Sequence, residues 1–168
     1  MDYRDLKKSG LKFDRAVSVG MLEHVGRDFY GLFLDCVKDV LKDGGLFLLH
    51  FISALKEFPG DAWIKKYIFP GGVVPSLREI LHEMGEKNLY TLDVESLRRH
   101  YEKTLLCWRE NFQKCRREIE YEKGIEFTRM WDLYLASCAG AFHTGVVDLH
   151  QILMSKGINN QLPMIRWY

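Results

Sequence analysis

Phe13-Asp14-Arg15-Ala16-Val17-Ser18-Val19-Gly20-Met21-Leu22-Glu23-His24-Val25-Gly26 is a short apolar run that delivers a glycine, a carboxylate and an imidazole onto the loop after it. In open α/β sheets, ligands bind outside the carboxyl ends of the strands. Within it, Asp14 lies just before a strand that contains Val17 and Val19, and this reads as a buried parallel strand from about Arg15 to Gly20. Gly20 then lets a ligand approach the backbone closely. Glu23 and His24 follow where chemistry would sit. Taken alone, the same residues also suit an ordinary strand-to-helix turn with a solvated glutamate.

Working outward, Phe29, Phe33, Val37 and Val40 fall at helical spacing, and Asp43-Gly44-Gly45 stops the helix. Leu46 to Ile52 has no polar alternation, which predicts a second buried parallel strand ending near His50 and hence a βαβ unit. Phe58-Pro59-Gly60 and Pro70-Gly71-Gly72 bracket a short aromatic helix on a loop, with Trp63, Tyr67 and Ile68. Ser76-Leu77-Arg78-Glu79 is a capping box opening a helix that ends at Gly85. Asn88 to Asp93 reads as a third strand. Leu97, Tyr101, Leu105, Trp108, Phe112, Cys115 and Ile119 then mark one long amphipathic stretch, broken by Gly124. A mostly apolar helix runs from about Ile125 to Phe142, and Val146 to Lys156 reads as an edge or antiparallel strand.

At 168 residues the chain is one domain, large enough to bury a core. A net charge of +1 offers no global field for nucleic acid, so no nucleic-acid partner is expected. The longest apolar stretches fall short of the roughly 20 residues a membrane-spanning helix needs. Cys36, Cys107, Cys115 and Cys138 form no CxxC pair, and no metal site is expected. They read as reduced thiols in a cytosolic protein.

The opening string resembles the strand-four region of the cyclopropane-fatty-acyl-phospholipid synthases, a branch of the S-adenosylmethionine-dependent methyltransferases. Co-linear blocks carry the resemblance along almost the whole chain: Leu48-Leu49-His50, Trp63 to Gly72, Tyr101-Glu102-Lys103-Thr104-Leu105 and Tyr134 to Phe142. The resemblance implies an α/β fold, the carboxy-terminal part of a Rossmann-like class I methyltransferase sheet with added helices over the substrate site. Such a fold normally opens with a strand, a glycine-rich turn and an acidic residue that holds the cofactor ribose. Neither is found, and Tyr3-Arg4-Asp5 is similar to the family's segment just before strand four. Residues 1–168 are therefore expected to be a single partial domain, lacking the first three strands. One side of the Arg15–Gly20 strand would then be bare, which predicts poor solubility or a homo-oligomer unless an amino-terminal half completes the sheet.

The activity the resemblance implies is methylene transfer from S-adenosylmethionine to a cis double bond of a phospholipid acyl chain. The alkene attacks the sulfonium methyl, a carbocation forms, and a bound bicarbonate removes a proton as the ring closes. The bicarbonate ligands carried over are Glu23, His50, Tyr101 and the backbone of Ile52. Cys138 is implied as a further catalytic-site residue, and Val19 and Gly20 as cofactor neighbours. Trp63, Tyr67, Phe69 and Trp108 are candidates for an acyl slot or for cation stabilisation. Lys65 and Lys66, or Arg98 and Arg99, are candidates for anionic headgroups. His24 reads as structural, and Cys36, Cys107 and Cys115 as packing residues. The expected location is cytoplasmic, with peripheral contact at the inner membrane face. Two alternatives stay open: a related C- or N-methyltransferase, and a non-catalytic fragment.

Overall fold

In the computed structural model, which describes residues 2–165, the chain alternates short strands with helices. They are β1 (Phe13–Val19), α1 (Tyr30–Val40), β2 (Leu41–Ala54), α2 (Ala62–Tyr67), α3 (Leu77–Glu86), β3 (Leu89–Ser96), α4 (Arg98–Lys114), α5 (Arg116–Lys123), α6 (Ile125–Thr144) and β4 (Val147–Lys156). The strands form one sheet in the order β1-β2-β4-β3. β1 and β2 are parallel, joined through α1, while β4 runs antiparallel to both neighbours. The expected βαβ unit and α/β class are thus present.

Several local expectations are corrected. α1 ends at Val40, before Asp43-Gly44-Gly45, because Leu41 already adopts extended backbone. The glycines instead form a bulge: the register jumps from Phe13↔Leu41 to Arg15↔Leu46, and Gly44 has φ +75°. β2 continues past His50 to Ala54. The helix opened by the capping box runs one residue past Gly85, to Glu86. Of the two readings of the last strand, antiparallel holds and edge does not: β4 lies between β2 and β3. The long amphipathic stretch is two helices divided at Cys115.

β2 organises two cores by strand alternation. Phe47, Leu49 and Phe51 point to one face, where Ile152 and Met154 of β4 join Phe33 and Leu34 of α1 and Ile80 and Met84 of α3. Each such buried side chain contributes roughly 1.5–3 kcal/mol. On the opposite face Ile52 and Leu149 meet Leu105 and Phe112 of α4 and Leu135, Ala139 and Phe142 of α6.

β1 is parallel as expected, but it is not buried on both faces. Ala16 packs on the first core, whereas Val17 is 64% and Val19 65% exposed. Alternation turns these valines to the face that α4 and α6 cover farther along the sheet. β1 also has a hydrogen-bonded neighbour on one side only among the described residues.

Candidate functional site

Where β1 stops, the ladder is continued by other groups. Gly20 N–H donates to the His50 carbonyl at 2.9 Å. Gly20 has φ +61°, and a Cβ built there would meet no atom within 4 Å, so its backbone borders open space. A single 3₁₀ turn, Leu22–His24, follows. Leu22 is fully buried and anchors the turn, which folds Glu23 inward rather than into solvent.

Glu23 is 9% exposed. Its Oε1 accepts the Ile52 N–H at 2.7 Å, standing in for a strand residue past the end of β1. Its carbonyl accepts the Val73 N–H at 2.8 Å, docking the returning limb of the Leu55–Pro75 flap. Oε2 is buried and has no hydrogen-bond partner among the described residues. The solvated-glutamate alternative is overturned. An unpaired buried carboxylate oxygen costs free energy, so such groups mark places where a ligand or water completes the bonding.

Ile52 connects this carboxylate to an apolar cavity of ≈ 390 Å³ between the flap, α4 and α6. Its backbone holds Glu23 while its side chain lines the cavity, with Trp63, Phe69, Tyr101, Tyr134 and Cys138. Tyr101 packs edge-on against Phe142, with ring centroids 4.9 Å apart, and against Trp108 at 6.0 Å. Burial raises its phenol pKa, with smaller contributions from Glu23 and Cys138. Burial likewise pushes the Cys138 thiol up to about 11. The half-buried His50 imidazole is lowered by burial, an effect the Glu23 carboxylate opposes.

The structure thus brings Ile52, Tyr101 and Cys138 to one cavity wall, with Glu23 joined to it through the Ile52 N–H and His50 two residues before Ile52 on β2. Val19 and Gly20 lie across the ladder from His50. His24 sits edge-on to Phe69 at 5.8 Å, a packing role. Trp63 and Phe69 line the cavity, whereas Tyr67 and Trp108 are half exposed and do not. Lys66 lies over the Tyr67 ring at 4.9 Å. Arg98 donates to the Phe142 and His143 carbonyls at the end of α6, so it caps a helix. Cys36 is buried as a packing residue, but Cys107 and Cys115 are exposed. Sequence reasoning missed Tyr134 as a lining residue. Its spacing of four from Cys138, which puts both on one helix face, was the available signal.

A parallel βαβ unit leading into an antiparallel strand pair, packed between helices, matches the fold of solved S-adenosylmethionine-dependent methyltransferases. The same fold is seen at 13% identity and a TM-score of 0.70 in Haemonchus contortus phosphoethanolamine N-methyltransferase 2, over 87% of this chain and 34% of that one. The mycolic acid cyclopropane synthetase family profile matches residues 1–152, and the chain belongs to that family.

The Escherichia coli K12 cyclopropane-fatty-acyl-phospholipid synthase is 41% identical over 166 residues, 98% of this chain and 42% of that protein. A probable fatty acid methyltransferase of Pseudomonas putida is 41% identical over 163 residues, 93% of this chain and 41% of that one. The solved cyclopropane synthase MmaA2 of Mycobacterium tuberculosis matches with a TM-score of 0.81 and 28% identity, over 87% of this chain and 56% of that chain. Mycolic acid cyclopropane synthase CmaA1, solved with SAH and CTAB, matches with the same TM-score at 29% identity. The chain therefore spans less than half the length of these two curated relatives.

Proposed function

We propose that this chain forms the substrate side of an S-adenosylmethionine-dependent enzyme that adds a methylene across cis double bonds of phospholipid acyl chains, giving cyclopropane fatty acids. The observation that carries the reading is a buried, unpartnered carboxylate oxygen of Glu23 beside an apolar cavity. An acyl chain needs the apolar slot, and proton removal from its new methyl needs a held base.

The open backbone at Gly20 and the exposed Val19 beside it fit the approach of S-adenosylmethionine, which when bound supplies an electrophilic methyl group. Trp63, Phe69 and Tyr134 exclude water and turn aromatic surface towards the slot, where positive charge on the lipid is tolerated. Glu23, His50 and Tyr101 would hold a bicarbonate that serves as the base. Glu23 Oε2 fits as acceptor for its hydroxyl, the one arrangement that joins the two anions rather than opposing them. Tyr101, kept protonated by its raised pKa, fits as a donor. The Ile52 N–H is already engaged by Glu23 Oε1, so its contribution runs through Glu23. Cys138 closes the slot as an uncharged thiol.

Lys65 and Lys66 on the flap would meet anionic headgroups at the inner membrane face of the cytoplasm. No helix among the described residues is long and apolar enough to cross a membrane. The test measures S-adenosylmethionine binding calorimetrically, then transfer of isotope-labelled methylene to vesicles of unsaturated phosphatidylethanolamine, for the chain alone and with the amino-terminal part of the E. coli relative. A cyclopropane acyl product is expected from the completed protein. A methyl-branched chain or a methylated amine as product overturns the ring-forming reading, as does absent lipid product when cofactor binding is intact.

A further inference from the structure

The flap that walls the slot leaves the sheet after Ala54 and returns at Pro75, whose carbonyl accepts the Ala54 N–H at 2.8 Å. Between these points it has little regular structure besides α2. One guanidinium gathers its two limbs. Arg27 Nη2 donates to the Val74 carbonyl at 3.1 Å on the returning limb and to the Phe58 carbonyl at 3.4 Å on the outgoing limb. Arg27 Nε donates to Glu79 Oε1 at 2.7 Å. Glu79 Oε2 accepts the Ser76 N–H at 2.7 Å, so the same carboxylate also caps α3. Arg27 sits four residues after Glu23, and Val73, beside Val74, donates to the Glu23 carbonyl.

We infer that Arg27 is a positioning residue that pins both limbs of the flap to the Glu23 loop, so that the aromatic wall of the slot and the carboxylate keep one fixed geometry. The planar fork meets the carboxylate from Nε and the two carbonyls from Nη2, a spread of donors over separate nitrogens that a single ammonium nitrogen does not have. A lysine keeps the charge and the Glu79 pair but cannot span all three acceptors. The role rests on the slot reading above, because the flap residues Trp63, Ile64 and Phe69 form its wall.

The test measures amide hydrogen exchange over residues 62–69 and binding of cis-parinaric acid, a long-chain fluorescent polyene, to the 168-residue chain and three variants. In Arg27→Gln, exchange in the flap should rise about ten- to thirty-fold while the amides of β2 keep their protection, since two carbonyl bonds to a charged donor are lost. Parinaric acid affinity should fall about five-fold or more. Arg27→Lys should restore the melting temperature but not the flap protection, and it carries the test if Arg27→Gln does not fold. Ala141 of α6 also lines the slot, and Ala141→Phe, which fills it without touching the clasp, should abolish probe binding and leave flap exchange unchanged. Unchanged flap exchange in Arg27→Gln, or full rescue by lysine, overturns the positioning role. Probe binding that survives Ala141→Phe overturns the slot reading instead, and the exchange data still decide the clasp.

Discussion

Replacing Glu23 by glutamine should leave the fold nearly as stable as before while removing function. Among the described residues the carboxylate accepts one charge-assisted bond, from the Ile52 N–H at 2.7 Å, and Oε2 is buried and unpartnered. A bond to a charged acceptor is worth about 1.5–3 kcal/mol and a neutral one about 1 kcal/mol, so glutamine loses on the order of 1 kcal/mol there. Against this, the substitution removes a desolvated charge whose burial costs at least ~1–3 kcal/mol. The new amide group inherits the unpartnered position and costs about 1 kcal/mol itself. The net change is within about 1 kcal/mol of zero, or roughly 2–4 °C in melting temperature for a domain of this size. Glu23→Ala, which orphans the Ile52 N–H, should be about 1–3 kcal/mol worse than glutamine. Denaturant unfolding followed by circular dichroism measures both. A glutamine variant destabilised by more than about 3 kcal/mol would show that the carboxylate is held for stability rather than for a ligand. Lipid product from the completed enzyme carrying Glu23→Gln at the parent rate would sink the functional side.

The remaining expectations concern titration, thiols and the open strand. Burial holds His50 and His150 below the ordinary imidazole value of 6.5, so the unfolded chain binds more protons just below that pH; stability is full above 6.5 and is lost as pH falls through the folded-state values. A melting temperature flat across that window would refute it. With a thiol pKa of about 11, Cys138 should resist Ellman's reagent in the native protein along with buried Cys36, while exposed Cys107 and Cys115 react; equal rates for Cys138 and Cys107 would contradict the burial argument. Exposed Val17 and Val19, on a strand paired on one side only among the described residues, should drive self-association. The double change Val17→Lys, Val19→Lys should reduce it in light scattering at a stability change within about 0.5 kcal/mol, and a parent chain that is already monomeric would refute the premise.

Much of the fold was legible because it is written locally. The capping box at Ser76 and Glu79 formed with both bonds, since its partners are three residues apart. The break at Gly124 held because that residue, at φ +84°, adopts backbone that side chains resist. Helix periodicity put Tyr101 on the apolar stripe of α4, and that stripe packs in one core with Cys138, which the family resemblance had singled out. Arg27 gave no local signal, because its acceptors lie 31, 47 and 52 residues away.

By itself the sequence determined which segments are strands and helices, the parallel βαβ start, the family, and the residue types offered to the site. Side-chain periodicity and turn chemistry act within a few residues, so they can be read without knowing neighbours. Only the tertiary structure decided that β4 inserts between β2 and β3, that Val17 and Val19 face outward, and that Glu23 replaces a missing strand partner for Ile52. Each of these depends on which backbone groups pair across the sheet, and ladder hydrogen bonds are the same for every residue type. Their partners are chosen by packing of the whole chain, which is also what buries one oxygen of Glu23 without a mate.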